Sequence, residues 1–114
     1  MYKFEYHKPT SLEDSVNLFK EKKFPKYLAG GMTLIPSMKQ LLSSPTDLVD
    51  IQDIKELRGI CESENKIIIG ALTTHNEVAH SSIIKEKITG LSYLASKIAD
   101  NAVRNSGTIG GSIC

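Results

Sequence analysis

Short apolar runs of β type and amphipathic helical patterns take turns from residue 4 to residue 51, with proline or glycine between them. Phe4 and Tyr6 alternate with Glu5 and His7, as in a strand with two unlike faces, and Pro9-Thr10-Ser11 stops the run. Thr10 with Glu13, or Ser11 with Asp14, offers a capping box, after which Leu12, Val16 and Phe19 recur at helical spacing until Pro25. Tyr27-Leu28-Ala29 predicts a second strand. Gly30-Gly31 interrupts it, and Thr33 offers a cap for a helix whose apolar face carries Leu34, Met38, Leu41 and Leu42. Pro36 is tolerated there because it falls in the first turn, where a missing N–H costs nothing. Asp47–Ile51 predicts a third strand. A strand-helix-strand-helix-strand order over residues 1–55 favours parallel pairing, because each helix carries the chain back to the same end of the sheet.

Residues 56–114 repeat neither that order nor its spacing. Ile54–Gly59 predicts a helical turn, and the segments Gly59–Ser63 and Lys66–Gly70 a hairpin around Glu64-Asn65. Thr74 and Glu77 form a second capping box, and Leu91, Leu94, Ala95 and Ile98 predict a helix. The expected class is α+β in two subdomains, 1–55 and 56–114.

The chain has 114 residues and a formal net charge of +1, so it has room for one small core and carries no charge excess that would mark a nucleic-acid partner. No apolar run approaches the ~20 residues of a membrane span, and Met1–Pro9 lacks the apolar core of a signal peptide. A cytoplasmic location is the expectation. Cys61 and Cys114 are too few for a disulfide framework, and His75 and His80 are spaced to leave a helix on different faces, so no metal site is expected.

The residues with chemical potential lie in two glycine-centred segments, Leu28–Pro36 (LAGGMTLIP) and Arg104–Ser112 (RNSGTIGGS). A glycine pair permits positive φ and lets a ligand approach the backbone, so successive amides there and at a following helix N-terminus suit a phosphate. A glycine pair also simply turns a chain, and both readings stand on the residues alone. Arg104 is either a phosphate partner or an ordinary surface ion-pair residue. The chain lacks G-x-G-x-x-G, G-x-x-x-x-G-K-[ST] and G-x-S-x-G, which removes support for Rossmann, Walker and hydrolase-elbow chemistry.

Leu28–Lys39 (LAGGMTLIPSMK), Ile69–His75 (IGALTTH) and Ile98–Ser112 (IADNAVRNSGTIGGS), in this order, resemble the flavin-binding subunit of the molybdenum hydroxylases. That family includes the carbon monoxide dehydrogenase medium subunit and the flavin part of xanthine dehydrogenase and aldehyde oxidoreductases. Tyr6–Ser11 and Leu48–Ile54 match as well, so the resemblance spans nearly the whole chain. It implies a PCMH-type FAD-binding domain of two α/β subdomains, the second incomplete here, with FAD held in an extended pose and both glycine loops facing its pyrophosphate. Carried over by motif, the cofactor-binding residues are Leu28, Ala29, Gly30, Gly31, Met32, Thr33, Leu34 and Ile35 in the first loop and Thr108, Ile109, Gly110, Gly111 and Ser112 in the second. Ile98 falls where the family packs a residue near the flavin, although its spacing suits a core position equally. No catalytic residue is implied, His75 included.

The implied function is electron transfer, in which a molybdenum-cofactor subunit oxidises substrate, an iron–sulfur subunit passes electrons on, and FAD hands them to an external acceptor. No cluster-type cysteine spacing exists here, so those centres belong to partner subunits. Two departures stand out: Asn101 occupies the place of a usual proline, and the family continues past the second loop with an acidic residue, further strands and a C-terminal domain. The expectation is therefore a chain inactive alone, binding FAD weakly and associating through an unfinished face, whether shortened, the product of a split gene, or a remnant. A remnant or assembly module that keeps the fold without flavin is the alternative, and an unrelated phosphate-binding domain a more distant one.

Overall fold

The computed structural model describes residues 1–114 and divides them into two compact units, Met1–Lys55 and Glu56–Cys114. The first is built from β1 (Glu5–His7), α1 (Leu12–Glu21), β2 (Pro25–Leu28), α2 (Leu34–Lys39) and β3 (Asp47–Asp50). Its sheet runs β1-β3-β2, parallel throughout, with Tyr6 and Lys26 both in register with Leu48. The predicted crossover order is thus realised.

β3 is central and buried at every position, so its two carboxylates need partners inside the unit. Asp47 Oδ1 lies 2.9 Å from His7 Nε2, and Asp47 Oδ2 accepts from Thr46 Oγ1 at 2.7 Å; these bonds, Thr46 first, hold its carboxyl below the usual carboxylate range. Asp50 accepts from the Tyr6 hydroxyl and, at 3.0 Å, from the Gln52 amide. The Tyr6 bond to that carboxylate pushes the phenol up to about 12. Leu28, Met38 and Leu48 form the core, with Phe4, Leu34 and Ile35 packed on it.

Three expectations need correction here. Of the two caps the sequence offers, Ser11 is the one used, its Oγ accepting from the Asp14 amide, but the helix stops at Glu21, so Pro25 opens β2 and does not end α1. Leu12 is exposed while Ser15 is buried, because the Ser15 hydroxyl satisfies itself on the Leu12 carbonyl at 2.7 Å. Finally, Leu41 and Leu42 do not continue the apolar face of α2. Leu41 takes φ +60°, Leu41 N donates to Met38 O and Leu42 N to Ser37 O, the paired bonds of a Schellman ending, which leaves both leucines exposed.

The second unit follows a 3-10 turn at Lys55–Leu57 and opens with the antiparallel hairpin β4 (Ile60–Ser63) and β5 (Lys66–Ile69), whose turn places Glu64 at φ +54°. Five short helices complete it: α3 (His75–His80), α4 (Ser82–Lys87), α5 (Thr89–Ser96), α6 (Asn101–Ser106) and α7 (Ile109–Ile113). α3 has the predicted capping box of Thr74 and Glu77, worth about 1 kcal/mol. The core gathers Val78, Ala79, Ile84 and Ala95, with Ile60, Ile67, Ile69 and Leu91 against it.

α5 ends at Ser96, so Ile98 lies beyond the helix, and Leu94 is exposed. Ser92 is buried in its stead, donating to the Ala79 carbonyl at 2.7 Å. α4, α6 and α7 are too short to show periodicity, yet each has a side-chain cap, from Ser81, Asp100 and Thr108 respectively.

Candidate functional site

The first glycine loop leaves the carboxyl end of β2, the end of a parallel sheet where ligands of α/β folds bind. Leu28 anchors it in the core, Ala29 and Gly30 are half-buried, and Leu34 and Ile35 return to the core at the start of α2. Gly31 takes φ +74°, and a Cβ there would stand 2.7 Å from Ile35 Cδ1 and 3.2 Å from Leu28 Cδ1. Only glycine makes this turn without strain.

Beyond Gly31 the chain is already helical in its bonding, with Ile35 N donating to Gly31 O and Ser37 N to Thr33 O, both at 3.1 Å. Thr33 itself is in the right-handed helical region, and its side chain makes no capping bond, contrary to the sequence expectation. A cap residue must be extended for its oxygen to reach back to the amides, and Thr33 is one turn too far in. As a result the amides of Gly30, Gly31, Met32, Thr33 and Leu34 make no hydrogen bond within the chain. Met32 and Thr33 are exposed, and Gly30, Gly31 and Leu34 are half-buried.

The second glycine loop, Gly107–Ser112, is closed by comparison. His75 N donates to Gly107 O at 3.0 Å and Ile109 N to Thr73 O at 2.9 Å, which bridges Thr74 to Thr108. Gly110 N donates to Ala71 O at 2.9 Å, Gly111 N to Thr108 Oγ1 at 3.1 Å, and Ser112 N to Thr108 O at 3.1 Å. Four successive amides, Ile109 to Ser112, are therefore engaged internally. A Cβ on Gly110 would meet Ala71 O at 2.7 Å and Ala71 Cβ at 2.9 Å, so this glycine serves close backbone packing. The sequence expectation of an amide cradle does not hold for this loop as folded.

Arg104 is bonded within the chain and to no carboxylate. Its Nη1 donates to the carbonyls of Ile98 and Ala99 at 2.9 and 3.0 Å, and Nη2 to Asn101 Oδ1 at 2.6 Å. These bonds hold the bend at Ile98–Ala99, where Ala99 takes φ +44°. Asn101 is the first residue of α6, the position proline favours, so its departure from the family pattern leaves the helix start intact and adds an acceptor for Arg104. Ile98 is half-buried on this bend.

His75 is 5% exposed, and its Nε2 lies 2.9 Å from Ser112 Oγ. Burial pushes its imidazole below the usual histidine range, so the ring is neutral at pH 7. Sequence reading missed this pair. The two residues stand 37 positions apart, and no local signal links them. No cluster of His, Cys, Asp and Glu suits a metal ion, and no helix is long and apolar enough to cross a membrane.

Residues 2–114 match the family model described as the FAD binding domain in molybdopterin dehydrogenase. The chain is 44% identical over 112 residues to the carbon monoxide dehydrogenase medium chain of Hydrogenophaga pseudoflava, covering 97% of this chain and 39% of that one. It is 41% identical over 109 residues to the carbon monoxide dehydrogenase medium chain of Afipia carboxidovorans, covering 95% and 38% respectively. Among solved structures it resembles the carbon monoxide dehydrogenase from Hydrogenophaga pseudoflava which lacks the Mo-pyranopterin moiety of the molybdenum cofactor, with a TM-score of 0.96, 43% identity, and coverage of 98% of this chain and 39% of that one. The chain thus spans about two fifths of the length of the relatives it matches. With the family model spanning nearly every residue and the fold superposing so closely, the chain belongs to the FAD-binding domain family of the molybdopterin dehydrogenases.

Proposed function

We propose that this chain binds FAD and forms part of the flavin subunit of a molybdenum-hydroxylase-type oxidoreductase. The observation that carries the reading is the first loop: five successive unpaired amides, Gly30 to Leu34, beside a glycine whose Cβ would collide with Ile35. Successive backbone donors without partners at the end of a parallel sheet are the chemistry a pyrophosphate requires. The residues present therefore fit the cofactor in this loop, and Thr33, whose hydroxyl has no partner, adds a sixth donor.

The second loop fits in another way. Its amides are engaged, so Thr108 through Gly111 act as a backbone surface, and the exposed Ser112 has its hydroxyl on His75 Nε2. Ile98, held by Arg104, is assigned a packing role toward the same cofactor. FAD, when bound, supplies the redox chemistry; this chain's residues bind and orient it and hold no acid, base or nucleophile for the reaction. In the whole protein we assign it the passage of electrons from iron–sulfur clusters toward an external acceptor, with molybdenum-cofactor and iron–sulfur subunits as partners. The names of the relatives, carbon monoxide dehydrogenase medium chain and xanthine dehydrogenase FAD-binding subunit, support this assignment.

Titration of the purified chain with FAD, followed by flavin fluorescence, tests the reading. Saturable binding is expected in the wild type and is lost in Gly31→Asp, which sets a carboxylate among the amides. Gly31→Ala separates backbone strain from charge. Equal binding by wild type and Gly31→Asp overturns the assignment.

A further inference from the structure

His75 is a buried titratable group that the proposed flavin site leaves without a role. Its ring lies against Gly107, where a Cβ would come within 3.1 Å of Cδ2, so the absence of a side chain at Gly107 is what admits the imidazole. Its own amide is tied to the Gly107 carbonyl, and the Thr74–Thr108 bridge lies next to it. The backbone at His75 is thereby fixed, and from it Nε2 reaches Ser112 Oγ at 2.9 Å. Ser112 is exposed, so the remaining hydrogen-bonding capacity of its hydroxyl faces outward.

A neutral imidazole has one N–H and one lone pair, and which of them meets Ser112 decides what the serine offers. With a lone pair on Nε2, the serine hydrogen is consumed by the ring and only oxygen lone pairs point out. With the proton on Nε2, the ring donates to Oγ and the serine O–H remains to be given to an acceptor. We infer that His75 is a positioning residue for Ser112: held in the Nε2–H tautomer, it turns the Ser112 hydroxyl into an outward donor for the acceptor atoms of a flavin nucleotide. The ligand class rests on the FAD reading above, since the pyrophosphate of that nucleotide presents only acceptors.

Two-bond proton–nitrogen spectra of the 15N-labelled chain near neutral pH read the tautomer without ligand. The expected result is a protonated Nε2 and an unprotonated Nδ1 for His75, perturbed in Ser112→Ala. FAD titration supplies the second readout. Ser112→Ala and His75→Leu are each expected to weaken binding by about three- to tenfold, the double variant no further, and His75→Gln, whose amide retains a donor near the position of Nε2, to restore most of it. An unprotonated Nε2 overturns the inference. So does a His75→Leu chain that folds and binds FAD as well as the wild type. Failure of the wild type to take up FAD overturns the flavin reading alone, and the tautomer of the unliganded chain then still decides the role of His75.

Discussion

The pairs Gly30-Gly31 and Gly110-Gly111 look alike in sequence, yet the first lies between β2 and α2 and the second within α7, and their backbones do opposite things. In the first loop the helix starts without a side-chain cap and five amides make no bond within the chain. In the second, Thr108 caps α7 and the loop amides are absorbed by Ala71, Thr73 and Thr108 itself. An uncapped, glycine-lined start keeps donors for a ligand at some cost in stability, whereas a capped and bridged one gives stability and a fixed surface. The difference separates a loop with unbonded amides from one whose amides are tied into the fold.

The largest effect that tests this contrast is steric. Gly110→Ala drives a Cβ into backbone at Ala71, which cannot yield, and is expected to lower unfolding stability by about 3 kcal/mol in urea titrations. Gly31→Ala meets only the movable end of Ile35 and the positive φ, and should cost about 1–2 kcal/mol. A reversed order breaks the comparison. A smaller effect distinguishes the two threonines: Thr108→Val removes the cap on Gly111 and should cost about 1 kcal/mol, while Thr33→Val, with no cap to lose, should stay within about 0.5 kcal/mol in the same assay.

Leu41→Gly sharpens the first unit alone. A left-handed C′ position suits glycine, so thermal unfolding should shift upward by the equivalent of about 1 kcal/mol.

Protonation supplies the last contrast. His75 has its affinity for protons lowered by burial, so its contribution to stability is full above the unfolded value of 6.5 and declines as pH falls through its lower folded value. Asp47 in the first unit contributes fully above 3.8 and loses its contribution only below that. Tyr6 acts at the other extreme: its contribution is full below pH 10 and is lost as pH rises toward about 12. Amide exchange measured segment by segment on acidification should therefore show residues around His75 loosening before those around Asp47, and His75→Gln should flatten the first of these responses.

Much of the first unit was legible because its signals are local. Proline and glycine separate the elements, Ser11 caps with Asp14, and β-type runs alternate with helical spacing, so the parallel order could be read from residues 4–51. The hairpin and the capping box at Thr74 were legible for the same reason. The short helices α4, α6 and α7 were not, since five or six residues carry too few apolar positions to establish a period. Leu41, Leu42 and Leu94 misled because apolar spacing does not reveal where a helix stops or which polar residue, such as Ser92, finds a buried acceptor.

By itself the sequence determined the strand-helix-strand-helix-strand order of the first unit, the hairpin of the second and, through its ordered motifs, membership in a flavin-binding family. Tertiary structure alone decided which glycine loop keeps its amides, that Arg104 bonds the carbonyls of Ile98 and Ala99, and that His75 meets Ser112 across 37 residues. The physical reason is range. Caps, turns and periodicity depend on neighbours within a few positions, while a donor is free or engaged according to whichever distant carbonyl or hydroxyl the fold brings to it.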